Sequence, residues 1–155
     1  MPHTLQEFLV TATQKAADDL AAALLRLPED KRGWSPDGKG RTALDQVAEC
    51  AVLNGYTADL IQTRTWQTDW FDKFFSEKAE AAAQDWETLH ARLQENTQRV
   101  VQAIASVPDE ALADKIELPG WTTARMMTLT EIMARSYWNM TYHEGQINYI
   151  ASMLA

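Results

Sequence analysis

The sequence predicts an all-α fold, a four-helix bundle that forms one domain over residues 1–155. Four long stretches carry apolar residues at the alternating three- and four-residue spacing of an amphipathic helix. No stretch between them shows the two-residue alternation of a half-buried strand. With 46% apolar residues, a chain of this length can bury about two-thirds of its unfolded surface, which is enough for one core.

The first helix is predicted over about residues 4–27. Thr4 and Glu7 form a capping-box pattern at its start, and Pro28 ends it. The residues that follow are rich in Pro, Gly, Asp and Lys, which is typical of a loop. Their one aromatic residue, Trp34, either fills the space beneath this loop or offers a platform for a ligand.

The second helix begins at Thr42, which is a suitable N-cap. Its apolar residues cover two arcs, so we expect it to pack on more than one side. Glu49 lies on the second arc, and a carboxylate there is either buried with a partner or directed to an edge. Its neighbour Cys50 points elsewhere on the helix and is predicted to be a small core or boundary residue.

The connection between the second and third helices is the longest and the most aromatic. It is predicted to contain a short helix. Its aromatic side chains either pack across one end of the bundle or form a lid or a dimer contact. These residues are Trp66, Trp70, Phe71, Phe74 and Phe75.

The third helix is predicted from Trp86 to Val107, and Pro108 ends it. His90 lies beside its apolar stripe and is interpreted as a surface or boundary residue, with the role of a ligand as the alternative. One further turn follows Pro108, and residues 115–121 are predicted to be a connection without regular structure.

The last helix is predicted to begin between Thr122 and Thr128, where Thr128 and Glu131 form a second capping-box pattern, and to run to about Met153. Within it, Asn139 and His143 are four residues apart and therefore share one face. Bundles build sites from residues on facing helices, so these two side chains and Glu49 are the candidates for an interior site. Carboxylate and imidazole are good ligands for Zn²⁺, Ni²⁺, Mn²⁺ or Fe²⁺, whereas an amide oxygen is a weaker one.

The charge pattern argues against a nucleic-acid partner. The net charge is −8, and no run of Lys or Arg provides a basic patch for phosphates. The N-terminus lacks the pattern of a signal peptide, and no stretch approaches the roughly 18 apolar residues of a membrane span. We therefore expect a cytoplasmic protein without a membrane segment. A single cysteine excludes an internal disulfide and a cysteine-rich zinc site.

The stretch Asn-Met-Thr-Tyr-His-Glu-Gly-Gln at 139–146 resembles the C-terminal motif of the DinB/YfiT-like superfamily, H-x-x-x-H-x-G-Q. Residues 42–50 and the preceding Trp34 resemble that family's second-helix region. The resemblance implies a four-helix bundle, commonly dimeric, with a long connection between helices 2 and 3. It also implies a divalent metal held by three histidines. Relatives include thiol S-transferases that use bacillithiol or mycothiol, and some hydrolases and isomerases.

The resemblance assigns a metal-ligand position to three residues of this chain. His143 keeps the family histidine, whereas Asn139 and Glu49 stand where two other histidines are usual. Gln146 belongs to the motif and could orient a neighbour through a hydrogen bond, and Tyr142 either lines the cavity or only packs. Gly145, in mid-helix, predicts close approach of another helix or of a ligand.

Two functions follow from this comparison. In the first, the site is degenerate, a metal is weakly bound or absent, and Glu49, Asn139 and His143 hydrogen-bond among themselves. The protein is then a non-catalytic small-molecule or dimerisation module. In the second, the three residues hold a divalent metal and the protein is an enzyme of the thiol S-transferase or hydrolase type. A homodimer and a thiol-type ligand are expected partners.

Overall fold

A computed structural model describes residues 4–119 and 125–155 as five α-helices, one β-hairpin and short turns. The helices are α1 Leu5–Leu25, α2 Ala43–Thr63, α3 Trp70–Ala82, α4 Trp86–Ala105 and α5 Leu129–Leu154. The strands are β1 Lys115–Leu118 and β2 Arg125–Thr128. Among these described helices, none has the length and apolar character needed to cross a membrane.

Helices α1, α2, α4 and α5 form the bundle, so the predicted all-α class is confirmed. Helix α2 packs against α4 and α5, and α1 packs against the same two helices from the other side. The predicted N-caps are present. Thr4 and Thr128 each form a capping box, and the Thr42 side chain accepts a hydrogen bond from the Asp45 backbone. These caps satisfy backbone N–H groups that a helix start leaves free.

The aromatic connection between α2 and α4 packs onto the bundle. It contains the predicted helix, which is α3 and has 13 residues. Phe74 is buried and meets the Tyr56 ring edge-on at 5.9 Å, while Trp66 and Trp70 meet edge-on at 5.0 Å. The prediction of a packed connection therefore describes most of these side chains, because among the five only Phe71 is exposed.

The prediction that no strand occurs was wrong. Residues 115–118 pair antiparallel with residues 125–128, with Lys115 opposite Thr128. Ile116 and Leu118 alternate with exposed residues and are each 6% exposed, which is the two-residue period of a strand. Four residues are too few for that period to be separated from a loop in the sequence alone. Trp121 and residues 122–124, where the last helix was expected to begin, lie outside the described residues.

Candidate functional site

Glu49 of α2 and His143 of α5 meet across the interface between these two helices. His143 Nε2 lies 3.0 Å from Glu49 Oε1. The His143 side chain is 3% exposed and the Glu49 side chain 20%. The helical phase of each residue directs its side chain toward the other helix. The pair that the sequence singled out is therefore hydrogen-bonded in the structure.

Arg41, which precedes α2, forms an ion pair with the second carboxylate oxygen of Glu49. Its guanidinium lies 2.7 Å from Glu49 Oε2, and its Nε donates to Asp45 Oδ2 at 2.6 Å. Lys78 of α3 approaches the same aspartate at 3.1 Å. Opposite charges therefore alternate along Lys78, Asp45, Arg41 and Glu49, and Glu49 in turn contacts His143. We call Arg41, Glu49 and His143 the interior network.

The other nitrogen of His143 faces two glutamines. His143 Nδ1 lies 2.9 Å from Gln46 Oε1 and 2.8 Å from Gln146 Oε1. Gln146 also donates from Nε2 to the Tyr142 hydroxyl at 3.1 Å. The orienting hydrogen bond expected of Gln146 is therefore present. Gln46 was missed, although it lies one helical turn before Glu49 and so shares its face.

Asn139 is buried beside the network but does not hydrogen-bond within it. Its Nδ2 donates to Cys50 Sγ at 3.5 Å, a weak contact with a soft acceptor. The expectation that Glu49, Asn139 and His143 bond among themselves was thus wrong for Asn139. Arg41 and two glutamines are instead the further partners of the other two side chains.

Two further sequence expectations concern the same helix. Tyr142 is half exposed, stacks on Trp138 with ring centroids 5.5 Å apart, and presents its ring to His143 edge-on at 5.2 Å. Gly145 was expected to allow close approach of another helix or of a ligand. The helix alternative was wrong within the described chain, since a methyl group there would meet nothing within 4 Å, and the ligand alternative stays a prediction. Two residues beyond His143, Gly145 faces about 200° away, toward solvent.

Electrostatics hold Glu49 in its ionised form. Burial alone would raise the pKa of Glu49, but the hydrogen bond from His143 and the charge of Arg41 outweigh it. Together they lower that pKa from 4.5 to about 2. The ionised carboxylate can only accept, so it pairs with a His143 that bears a proton on Nε2. Burial, reinforced by the Glu49 charge, raises the pKa of the Cys50 thiol well above its ordinary value, so this cysteine stays protonated.

A small cavity leads from the network toward the aromatic helix α3. Its volume is about 220 Å³, and both Glu49 and Asn139 line it. The other lining residues are Leu53, Trp70, Phe74, Phe75, Arg135 and Trp138. The carboxylate therefore borders a space enclosed mostly by apolar and aromatic side chains, as is common for small-molecule sites.

The residues present do not fit the three-histidine metal that the resemblance implies. Among residues 4–119 and 125–155, no three His, Cys, Asp or Glu side chains cluster as a metal site would require. A His143 Nε2 that donates to the ionised Glu49 has no lone pair to offer a metal. The Arg41 guanidinium pairs with the Glu49 carboxylate where a cation would otherwise bind. Asn139 supplies only a neutral amide.

Comparison with known proteins places the chain in a family. A family model described as the DinB superfamily matches residues 12–147, which is most of the chain. The chain belongs to the DinB superfamily. No curated protein is similar enough in sequence to count as a match.

Solved structures share the fold of this DinB superfamily protein at low sequence identity. A histidine-to-alanine mutant of a mycothiol-dependent maleylpyruvate isomerase superposes with a TM-score of 0.74 and 14% identity. The match covers 95% of this chain but 61% of that one, so the present chain spans about three-fifths of its length. A Streptococcus pneumoniae protein gives 0.72 and 14%, covering 96% and 91% of the two chains. An uncharacterised Clostridium difficile protein gives 0.71 and 14%, with 96% of each chain covered. These likenesses show the fold alone.

Proposed function

We propose that this DinB superfamily protein is a non-catalytic small-molecule-binding module whose interior site works without a metal. The observation that carries the proposal is the closed interior network. Glu49 receives the Arg41 guanidinium at 2.7 Å on one oxygen and His143 at 3.0 Å on the other. Both carboxylate oxygens and the imidazole nitrogen that faces them are thereby occupied by partners within the chain.

Electrostatics support the metal-free reading. A divalent cation beside Glu49 would have to displace the proton on His143 Nε2 and to lie close to the positive charge of Arg41. Metal binding requires deprotonated ligands, so the need to remove the Nε2 proton would reduce the affinity for the cation. Repulsion from Arg41 would reduce it further. The fixed charges that a metal would neutralise are already balanced by Arg41, and the network satisfies polar groups whose burial would otherwise be costly.

A specific observation favours a second candidate, the metal-dependent enzyme of thiol S-transferase or hydrolase type. The cavity beside Glu49 and Asn139 opens where a substrate of a metal centre would be bound. One structural neighbour is a mycothiol-dependent isomerase. In that reading a thiol occupies the cavity and Arg41 moves away from Glu49 when the metal binds.

Elemental analysis separates the two candidates. Protein purified without chelator and without metal-affinity resin is expected to carry far less than one transition metal per chain. The matched sample is the same protein incubated with excess Zn²⁺ and passed through a desalting column, which is expected to return to the same low content. One retained metal per chain in either sample would support the enzyme instead.

A further inference from the structure

Arg135 of α5 stands where two cavities adjoin. The smaller is the one that reaches Glu49, and the larger, of about 590 Å³, extends toward the β-hairpin. Three residues line both cavities, namely Trp70, Arg135 and Trp138. The guanidinium therefore borders both cavities, and the larger one has room for a small organic molecule.

Within the described chain, Arg135 has neither a hydrogen bond nor an ion pair. It lies over the Trp66 ring, whose centroid is 5.5 Å from Cζ. The eight residues outside the described ranges contain no Asp or Glu, so no carboxylate from them can pair with it. Burial, followed by the charge of Arg125, lowers the pKa of Arg135, and the more distant charge of Glu49 only partly opposes them. A half-buried guanidinium that no carboxylate contacts directly is costly, and an anion bound to it would remove part of that cost.

The acidic groups near Arg135 are engaged elsewhere. Glu131, on the rim of the larger cavity, accepts hydrogen bonds from the Thr128 backbone at 2.7 Å and from its hydroxyl at 3.0 Å. Glu49 is held by Arg41 and His143. The charged residues that line the larger cavity are Arg125, Glu131 and Arg135, two positive and one negative. Their sum is a single positive charge, which matches a monoanion.

The rest of the larger cavity is apolar. Three tryptophans surround the guanidinium, and the remaining wall comes from the hairpin and from α5. These lining residues are Trp66, Trp70, Trp138, Leu118, Pro119, Met127 and Ala134. A ligand that fills this space needs an apolar body, while its charged end meets Arg135. Arginine binds a carboxylate through two parallel hydrogen bonds, which suits one planar anionic group.

We propose that Arg135 binds the carboxylate of a small organic acid whose apolar or aromatic body lies between the tryptophans. This inference rests on the proposed small-molecule function and names its ligand class. Arg125 adds long-range attraction at the exposed rim. Glu49 and Asn139 line the smaller cavity on the other side of Arg135, so the carboxylate of Glu49 disfavours extension of the acid into it.

Isothermal titration calorimetry with phenylacetate and its neutral isostere phenylacetamide tests the proposal. Phenylacetate is expected to bind the wild-type protein at least about 10-fold more tightly than the amide. Arg135→Gln should remove this difference, and Arg135→Lys should keep part of it because the charge remains. The matched control is Arg99→Gln, a surface arginine paired with Asp59, which should leave both affinities unchanged.

Several outcomes would overturn the proposal. They are equal affinity for acid and amide, no binding of phenylacetate at millimolar concentration, and an unchanged preference in folded Arg135→Gln. The comparison of acid with amide in the wild-type protein needs no variant, so it decides the question even if Arg135→Gln does not fold. Metal content is measured on the same samples. Retained metal together with Arg135-dependent binding would contradict only the metal-free function, whereas no binding in metal-free protein would contradict only the ligand assignment.

Discussion

Glu49→Gln is expected to lower the free energy of unfolding by about 3 kcal/mol at neutral pH. The substitution keeps the shape of the side chain but removes the charge that compensates Arg41 and His143. His143 is 2% exposed and cannot gain compensating water, so its hydrogen bond to a charged acceptor is replaced by a weaker one to a neutral amide oxygen. Chemical denaturation followed by circular dichroism measures the change.

The same variant should alter the pH dependence of stability. The pKa of Glu49 is about 2 in the folded protein, below its ordinary value of 4.5. A lowered pKa means that the ionised carboxylate stabilises the fold fully above pH 4.5, and that this contribution is lost as the pH falls toward about 2. In Glu49→Gln this part of the acid-induced loss should disappear.

Asp59→Asn is the matched control for Glu49→Gln. Asp59 lies on the same helix and pairs with Arg99 at 2.6 Å, but its side chain is 56% exposed. Exposed ion pairs contribute little, so the control should lose no more than about 1 kcal/mol. Equal losses in the two variants would mean that Glu49 behaves as a surface residue and that the interior network adds no stability.

Restoring three histidines should create a metal site. Glu49→His combined with Asn139→His places imidazoles at the two positions that depart from the family motif, beside His143. The structure adds a requirement, because Arg41 would still direct its positive charge at position 49. The triple variant that also carries Arg41→Ala is therefore expected to bind Zn²⁺ or Ni²⁺ on the order of 100-fold more tightly than the wild type, by calorimetric titration.

The double variant and a His143→Ala version of the triple variant are its controls. The double variant should gain less metal affinity than the triple variant, because Arg41 still repels the cation. Removal of His143 should cancel most of the gain, since the third imidazole is lost. If the folded triple variant gains nothing, then the backbone geometry of the site has diverged from a metal-binding arrangement, and not only its ligands.

Local signals in the sequence were sufficient to predict most of the helices of the bundle. The capping boxes at Thr4 and Thr128 and the stop at Pro28 each depend on neighbours a few residues away, so the helix ends could be read from the chain itself. The hairpin could not, because its strands have four residues each and pair across a gap in sequence. Its stability comes from tertiary burial of Ile116 and Leu118, which periodicity alone does not reveal.

Only those features of the candidate site that follow from helical phase could be predicted from the sequence. Phase places Glu49 and His143 on facing walls, and they meet at 3.0 Å. Arg41 was missed because it precedes the helix and its long side chain can point in many directions, although its spacing of four from Asp45 was a readable signal. Arg135 lies one turn before Asn139, but its lack of a partner is a property of the packed structure.

We claim that His143 Nε2 donates its proton to Glu49 and that this nitrogen is thereby closed to metals. Long-range ¹H–¹⁵N correlation of the imidazole rings tests it directly, since the chain has three histidines and His143→Gln assigns the signal. We expect a protonated Nε2 resonance at neutral pH that disappears in His143→Gln and does not change with equimolar Zn²⁺. An unprotonated Nε2, or a resonance that shifts stoichiometrically with Zn²⁺, would contradict the claim.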